Sequence, residues 1–261
     1  MVLSKPSKNI SMKLKLNSVL FIALLVLVAA CNQKPKELKF TNFIIANTQY
    51  PIAGDSSRSC SFEASIPIFE EGNQQLIDSI NTFIAQTFFE HESKITDLKQ
   101  LVKAESDSFY QDYLRDFSEF NEADFPLTYD YNLKLAVAFH NEKYVTLKNE
   151  NYQYTGGAHG NYAILYHVFD ATNGKRISIN ELVEDTLKLE QLAKQQFYTL
   201  KQIDSTKSIN DQGYWFEKNI FSLNSNFGLL NDTLVFTYNP YEVTSYAEGQ
   251  IDLKIPLNLL K

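Results

Sequence analysis

Cysteine, histidine and tryptophan are scarce in this 261-residue chain, which holds two, four and one of them. His159 and His167 stand eight positions apart, which is not a usual zinc spacing, and no second cysteine is free to complete a ligand set. No metal and no cofactor is therefore expected. The chain also lacks a Gly-x-Ser-x-Gly nucleophile elbow and a glycine-rich phosphate loop, so the best-marked hydrolase and nucleotide-binding motifs are missing. Only one apolar run approaches membrane-spanning length, so nothing beyond it is expected to cross a bilayer. Basic residues are outnumbered by acids, 24 to 31, which argues against nucleic acid and against an anionic membrane surface as the main partner.

The one apolar run is informative. Lys13 and Lys15 precede a block from Val19 to Ala30, which ends Val28-Ala29-Ala30-Cys31. A basic start, a short apolar middle and small residues before a cysteine have the layout of a bacterial lipoprotein signal peptide, residues 1–30, with lipidation at Cys31. The rival reading is an uncleaved signal anchor. The expected address is the cell envelope, lipid-anchored to the outer membrane and facing the periplasm, because Asn32-Gln33 is not an acidic sorting run. Loss of residues 1–30 removes four lysines and no acid, taking the formal charge from −7 to −11. With Cys31 acylated, Cys60 stands alone, no intramolecular disulfide is available, and its simplest role is that of a small buried apolar residue.

Residues 31–39 read as a polar tether. Beyond it the patterning is mixed. Phe40 to Pro51 and Cys60 to Phe69 are β-like, with Phe62, Ala64, Ile66 and Ile68 alternating against Glu63 and Ser65. Asn73 opens a helical pattern carrying Leu76, Ile77, Ile80, Phe83, Ile84 and Phe88 on one face. A second helix bears an aromatic stripe of Phe109, Tyr113, Phe117 and Phe120, read as core. Tyr131 to Phe139 alternates as a half-buried strand and turns at Asn141-Glu142 into a hairpin. Tyr162 to Phe169 is a further strand, Asn173-Gly174 a turn, and Ser178 to Glu181 a capping box before a longer helix from Leu189. Leu234 to Tyr238 and Ile251 to Leu257 alternate as closing strands. The expected fold is α+β, in two small units of antiparallel strands packed on helices, at residues 40–149 and 150–261.

Two loops stand out chemically. In Gly156-Gly157-Ala158-His159-Gly160-Asn161, three glycines in five positions permit a specifically shaped turn with a side chain aimed outward. In Asn239-Pro240-Tyr241-Glu242, Pro240 fixes φ and drives Asn239 to an extended conformation. Tyr154, His159, Asn161, Tyr241, Glu242 and Tyr246 are the candidate ligand-binding residues, since these loops carry aromatic and polar groups suited to an interface. The plainer reading is that both loops pack against each other to close the fold. No catalytic residue is assigned. Glu242 and His159 are the acid/base pair to test should the chain be an envelope-polymer hydrolase, and a purely structural lipoprotein is the third possibility.

These motifs, followed by a closing apolar strand, resemble the RsiV/PdaC-type extracytoplasmic domain family over roughly Phe40 to Lys261. The first unit, 40–149, matches only by pattern (PdaC-like), whereas 150–261 carries the motifs (RsiV-type). The resemblance implies a two-part α+β fold with a sensing or binding role, and as ligand a lysozyme-like protein or a peptidoglycan glycan. It departs from the family where the outputs lie. At most 18 residues precede the apolar block and no deacetylase domain follows the last strand, so anti-sigma and deacetylase activities are not expected to carry over.

Overall fold

The computed structural model describes residues 37–90, 97–120 and 126–260; the signal-like segment, Cys31 and His91 lie outside the described residues. Strand β1 (Lys39–Gln49) pairs antiparallel with β2 (Arg58–Glu71). Alternation in β2 sends Phe62, Ala64 and Ile66 into the core, with Glu63 and Ser65 on the opposite face. Helix α1 (Gln74–Phe88) starts where Asn73 caps it, its Oδ1 accepting from the N–H groups of Gln75 and Leu76. The Asn73 amide also donates to the Thr172 carbonyl at 2.6 Å, tying the helix start to a distant turn. Helix α2 (Leu98–Phe120) buries Tyr113 completely against Tyr129 and Phe117, so the stripe is core up to Phe117, while Phe120 is half exposed.

Strands β3 (Leu127–His140), β4 (Tyr144–Tyr154) and β5 (Asn161–Asp170) complete a sheet ordered β1-β2-β3-β4-β5. The β2–β3 pair is parallel, a departure from the antiparallel expectation. Two helices separate these strands, and a crossover of that length returns the chain in the same direction. The β3–β4 hairpin closes as expected, with the Asn141 carboxamide accepting from the N–H groups of Lys143 and Tyr144.

After β5, Asp170 accepts from Thr172 and the chain reverses at Gly174, whose φ is +74°. A Cβ there would meet Ser79 Cβ at 2.8 Å and Gln75 O at 2.9 Å, so glycine alone fits. The Ser178/Glu181 capping box opens the short helix α3 (Ile179–Leu182), and Asp185 caps α4 (Thr186–Leu200). Strands β6 (Phe227–Leu230), β7 (Thr233–Tyr238) and β8 (Ile251–Pro256) form a separate antiparallel sheet.

Residues from Glu37 onward make one compact unit with two main hydrophobic clusters. One lies between α1, α2 and the five-stranded sheet; the other gathers α4 and the small sheet. Strand β5 feeds both, with Phe169 in the first and Val168 in the second. The division expected between residues 149 and 150 falls inside β4, because the hairpin register from β4 to β5 runs on unbroken and the chain changes sheet only after Asp170. Cys60 is buried as expected, and burial pushes its thiol up to about 12, which keeps it protonated and unreactive.

An aromatic stack built from two distant loops

The turn between β4 and β5 owes its shape to its glycines. Gly156 and Gly157 take φ values of +106° and +97°, and the Tyr154 hydroxyl donates back to the Gly157 carbonyl at 3.0 Å. Gly160 is buried for another reason: a Cβ there would lie 2.4 Å from the Tyr152 ring. With the chain pinned at Gly160, His159 is presented outward. Its Nδ1 lies 3.0 Å from the Gly160 carbonyl. A carbonyl can only accept, so Nδ1 carries the proton in the neutral ring, and Nε2 accepts from the Tyr241 hydroxyl at 3.2 Å.

The partner loop is equally constrained. Asn239 lines its carboxamide along the backbone of Ile164, accepting from its N–H at 2.6 Å and donating to its carbonyl at 3.0 Å. Asn226 repeats the device one step along, accepting from Tyr166 N–H and donating to the carbonyls of Ile164 and Thr237. These two amides, helped by the Asn224 amide on Thr237, satisfy the outer edge of β5 and bolt it to β7. Pro240 then leads into Tyr241 at φ +68°, a left-handed conformation that costs a non-glycine residue about 1–2 kcal/mol. Glu242 holds it there: one carboxylate oxygen accepts from the Asn239 N–H at 2.5 Å and the other from Asn224 Nδ2 at 3.0 Å.

The outcome is a group of three rings. His159 stacks on Tyr246 with centroids 4.2 Å apart and planes 20° off parallel; Tyr241 lies 6.1 Å from His159 and 5.5 Å from Tyr246. The Tyr246 hydroxyl reaches the Gly160 carbonyl at 3.4 Å, while the Tyr241 side of the group stays open, at 55% exposure.

Of the six candidate residues the structure therefore joins three, His159, Tyr241 and Tyr246. Tyr154 serves the shape of its own turn. Asn161 is exposed opposite Gln153 at the start of β5 and makes no hydrogen bond to the stack. Glu242 is occupied by its own loop, and no hydrogen bond links it to His159. Sequence reading missed Trp215, the sole tryptophan, which is 48% exposed and hydrogen-bonded through its backbone N–H to Val243, the residue after Glu242. Its scarcity was the available signal. Asn224 and Asn226 were missed too, since two asparagines in a loop carry no mark of the edge they satisfy.

His167, expected as a paired and half-buried strand residue, is buried between Phe83 and Arg176, with Nε2 left without a partner. Burial, reinforced by the adjacent Arg176 charge, lowers its pKa to about 4. Among the described residues, no group of three or more His, Cys, Asp or Glu side chains comes together as a metal site would require.

Comparison with known proteins gives matches at two levels, sequence family and fold. Residues 54–162 match a family model described as Deacetylase PdaC, and residues 176–258 match one described as Protein of unknown function (DUF3298). The chain is similar in structure to a DUF3298-family protein from Bacteroides fragilis, with TM-score 0.72 and 22% identity, covering 87% of this chain and 93% of that one. It is also similar to a DUF3298-family protein from Pseudomonas aeruginosa, with TM-score 0.56 and 15% identity over 85% and 93% of the two chains. At such identities the likeness is one of fold. No curated protein matches the chain. The chain thus carries a PdaC-like segment followed by a DUF3298-like one, and the first half, which matched only by pattern in sequence, has a family match of its own.

Proposed function

From a PdaC-like segment followed by a DUF3298-like one, we propose a binding or sensor module of the cell envelope that has no catalytic activity of its own. In this reading Cys31 carries the lipid, the module faces the periplasm from the outer membrane, and the ligand docks on the ring surface of His159, Tyr241 and Tyr246. One observation carries it: two loops 82 residues apart, one shaped by glycines and the other holding Tyr241 in a left-handed conformation, converge to hold an exposed aromatic surface. Strain retained at an exposed tyrosine is more readily explained by what the tyrosine contacts than by what it stabilises. Tyrosine supplies a large, fairly rigid, amphipathic contact area.

The ligand is a lysozyme-like protein or a peptidoglycan glycan. A basic lysozyme would be steered by the charge of −11 that follows loss of residues 1–30, an effect on association rate more than on contact energy. The hydrolase alternative needs Glu242 and His159 poised together over a substrate, and each is hydrogen-bonded elsewhere. The test is calorimetric titration with lysozyme and then with muropeptides at physiological salt, on the native protein and on Tyr241→Ala and Tyr246→Ala. Saturable binding weakened by either substitution is expected. Release of acetate from N-acetylated glycan would instead make this a deacetylase, and no heat with either ligand would remove the binding reading.

A further inference from the structure

The chain has three arginines. Arg58 pairs with Asp55, and Arg115 with Asp112 and Asp116. Arg176 alone has no carboxylate within ion-pair distance among the described residues, in a protein whose acids outnumber its bases. Its position is nonetheless well determined. The Ile177 N–H donates to the Val168 carbonyl and the Asp170 N–H to the Lys175 carbonyl, so Arg176 lies antiparallel to Phe169 and shares its face of the sheet. The guanidinium stands 4.9 Å from the Phe83 ring centroid. Its Nη2 is 3.5 Å from His167 Nδ1, a ring nitrogen that can only accept from it. The nearly buried imidazole thus orients the guanidinium, whose other N–H groups have no protein acceptor among the described residues.

Those free donors border a groove of about 590 Å³. Two parallel ridges of α1 form one wall, Asp78-Thr82-Gln86 and Ser79-Phe83-Thr87, each stepping by four residues; Phe169 and Arg176 form the other. The Ser79 hydroxyl is already used on the Gly174 carbonyl. Thr82, Thr87 and Gln86 offer further hydrogen-bonding groups, and Phe83 and Phe169 an apolar floor. Asp78, held by Gln74, puts a negative charge at one end, which disfavours a second charge on anything bound.

We propose that this groove binds a monocarboxylate bearing an apolar substituent, with the carboxylate on the Arg176 guanidinium and the substituent against Phe83. A planar guanidinium suits a carboxylate, which it can engage with two parallel bonds.

The test is calorimetric titration of the full-length protein with phenylacetate, and separately with phenylacetamide and inorganic phosphate. Saturable phenylacetate binding is expected, weakened about tenfold or more by Arg176→Gln and less by Arg176→Lys, whose ammonium keeps the charge but not the fork. The neutral amide and the phosphate should bind far more weakly. Thr82→Val leaves Arg176 and its ring partner in place and should also weaken binding, which covers the case in which an Arg176 variant folds poorly. Absence of phenylacetate binding, equal binding of the amide or of phosphate, or binding indifferent to both Arg176→Gln and Thr82→Val would overturn the proposal.

Discussion

Lowering the pH from 6.5 to 4.5 should destabilise this protein through one imidazole. His167 is 8% exposed, packed on Phe83 and flanked by the Arg176 guanidinium, so its charged form is disfavoured and its pKa falls from 6.5 to about 4. A histidine depressed in the folded state takes up its proton more readily when unfolded. Its contribution is complete above pH 6.5 and is lost progressively as the pH falls towards 4. At about 1.4 kcal/mol per unit, the shift amounts to about 3 kcal/mol in total. The carboxylates held low, among them Glu181 and Asp170, lose their contributions only below their ordinary values of 4.5 and 3.8. Glu105 and Asp130, raised by burial, act with the opposite sign. The difference between the native protein and His167→Phe therefore isolates the imidazole. Phenylalanine keeps the packing and removes the orphaned Nε2, so at pH 7 the variant should be about as stable as the native protein. Urea unfolding across this window should show the native curve falling by a few kcal/mol relative to the variant. Parallel curves would refute the reasoning, since they would mean that His167 charges in the folded state at no cost.

Asn239→Ala leaves the Ile164 N–H unpaired at a sheet edge, while the Ile164 carbonyl keeps its bond from Asn226, and should cost about 1–3 kcal/mol in chemical denaturation. Gly160→Ala forces a methyl group into the Tyr152 ring and should cost about 1–3 kcal/mol while displacing His159, seen as lost ligand binding together with a lowered melting temperature. Tyr241→Gly removes the left-handed penalty and should remain within about 1 kcal/mol of native stability while abolishing ligand binding, separating the surface from the scaffold. Asn149→Leu replaces a buried carboxamide whose Oδ1 has no partner, and denaturation should show it neutral or stabilising.

What could be read from the sequence was what local chemistry decides. The helix start at Asn73, the Asn141 hairpin, the Ser178 capping box and the alternation in β3 all stand where the patterns put them, because each depends on neighbours a few residues away. Strand β6 was missed. Its Phe-Gly-Leu-Leu reads as a loop until the Tyr166 ring is seen in the place a Cβ at Gly228 would occupy, 2.5 Å away. The choice of both unusual loops was readable, but their meeting was not. His159 and Tyr246 come together through the asparagine joint between β5 and β7, which has no counterpart in the pattern of either strand. Glu242 follows the plainer of its two readings, a hydrogen bond that stabilises its turn: the shape of the loop is what the carboxylate maintains.

The seam between the two family matches runs through the worst possible place for a mechanical break. One match ends at 162 and the other begins at 176, so most of β5 belongs to neither, yet that strand puts Phe169 into one core and Val168 into the other. Recurrence in sequence and independence in matter are different properties here. Either segment transplanted alone would carry a raw apolar wall, and heating the intact protein should melt both halves in one transition, as happens when two rooms share the wall that holds up both roofs.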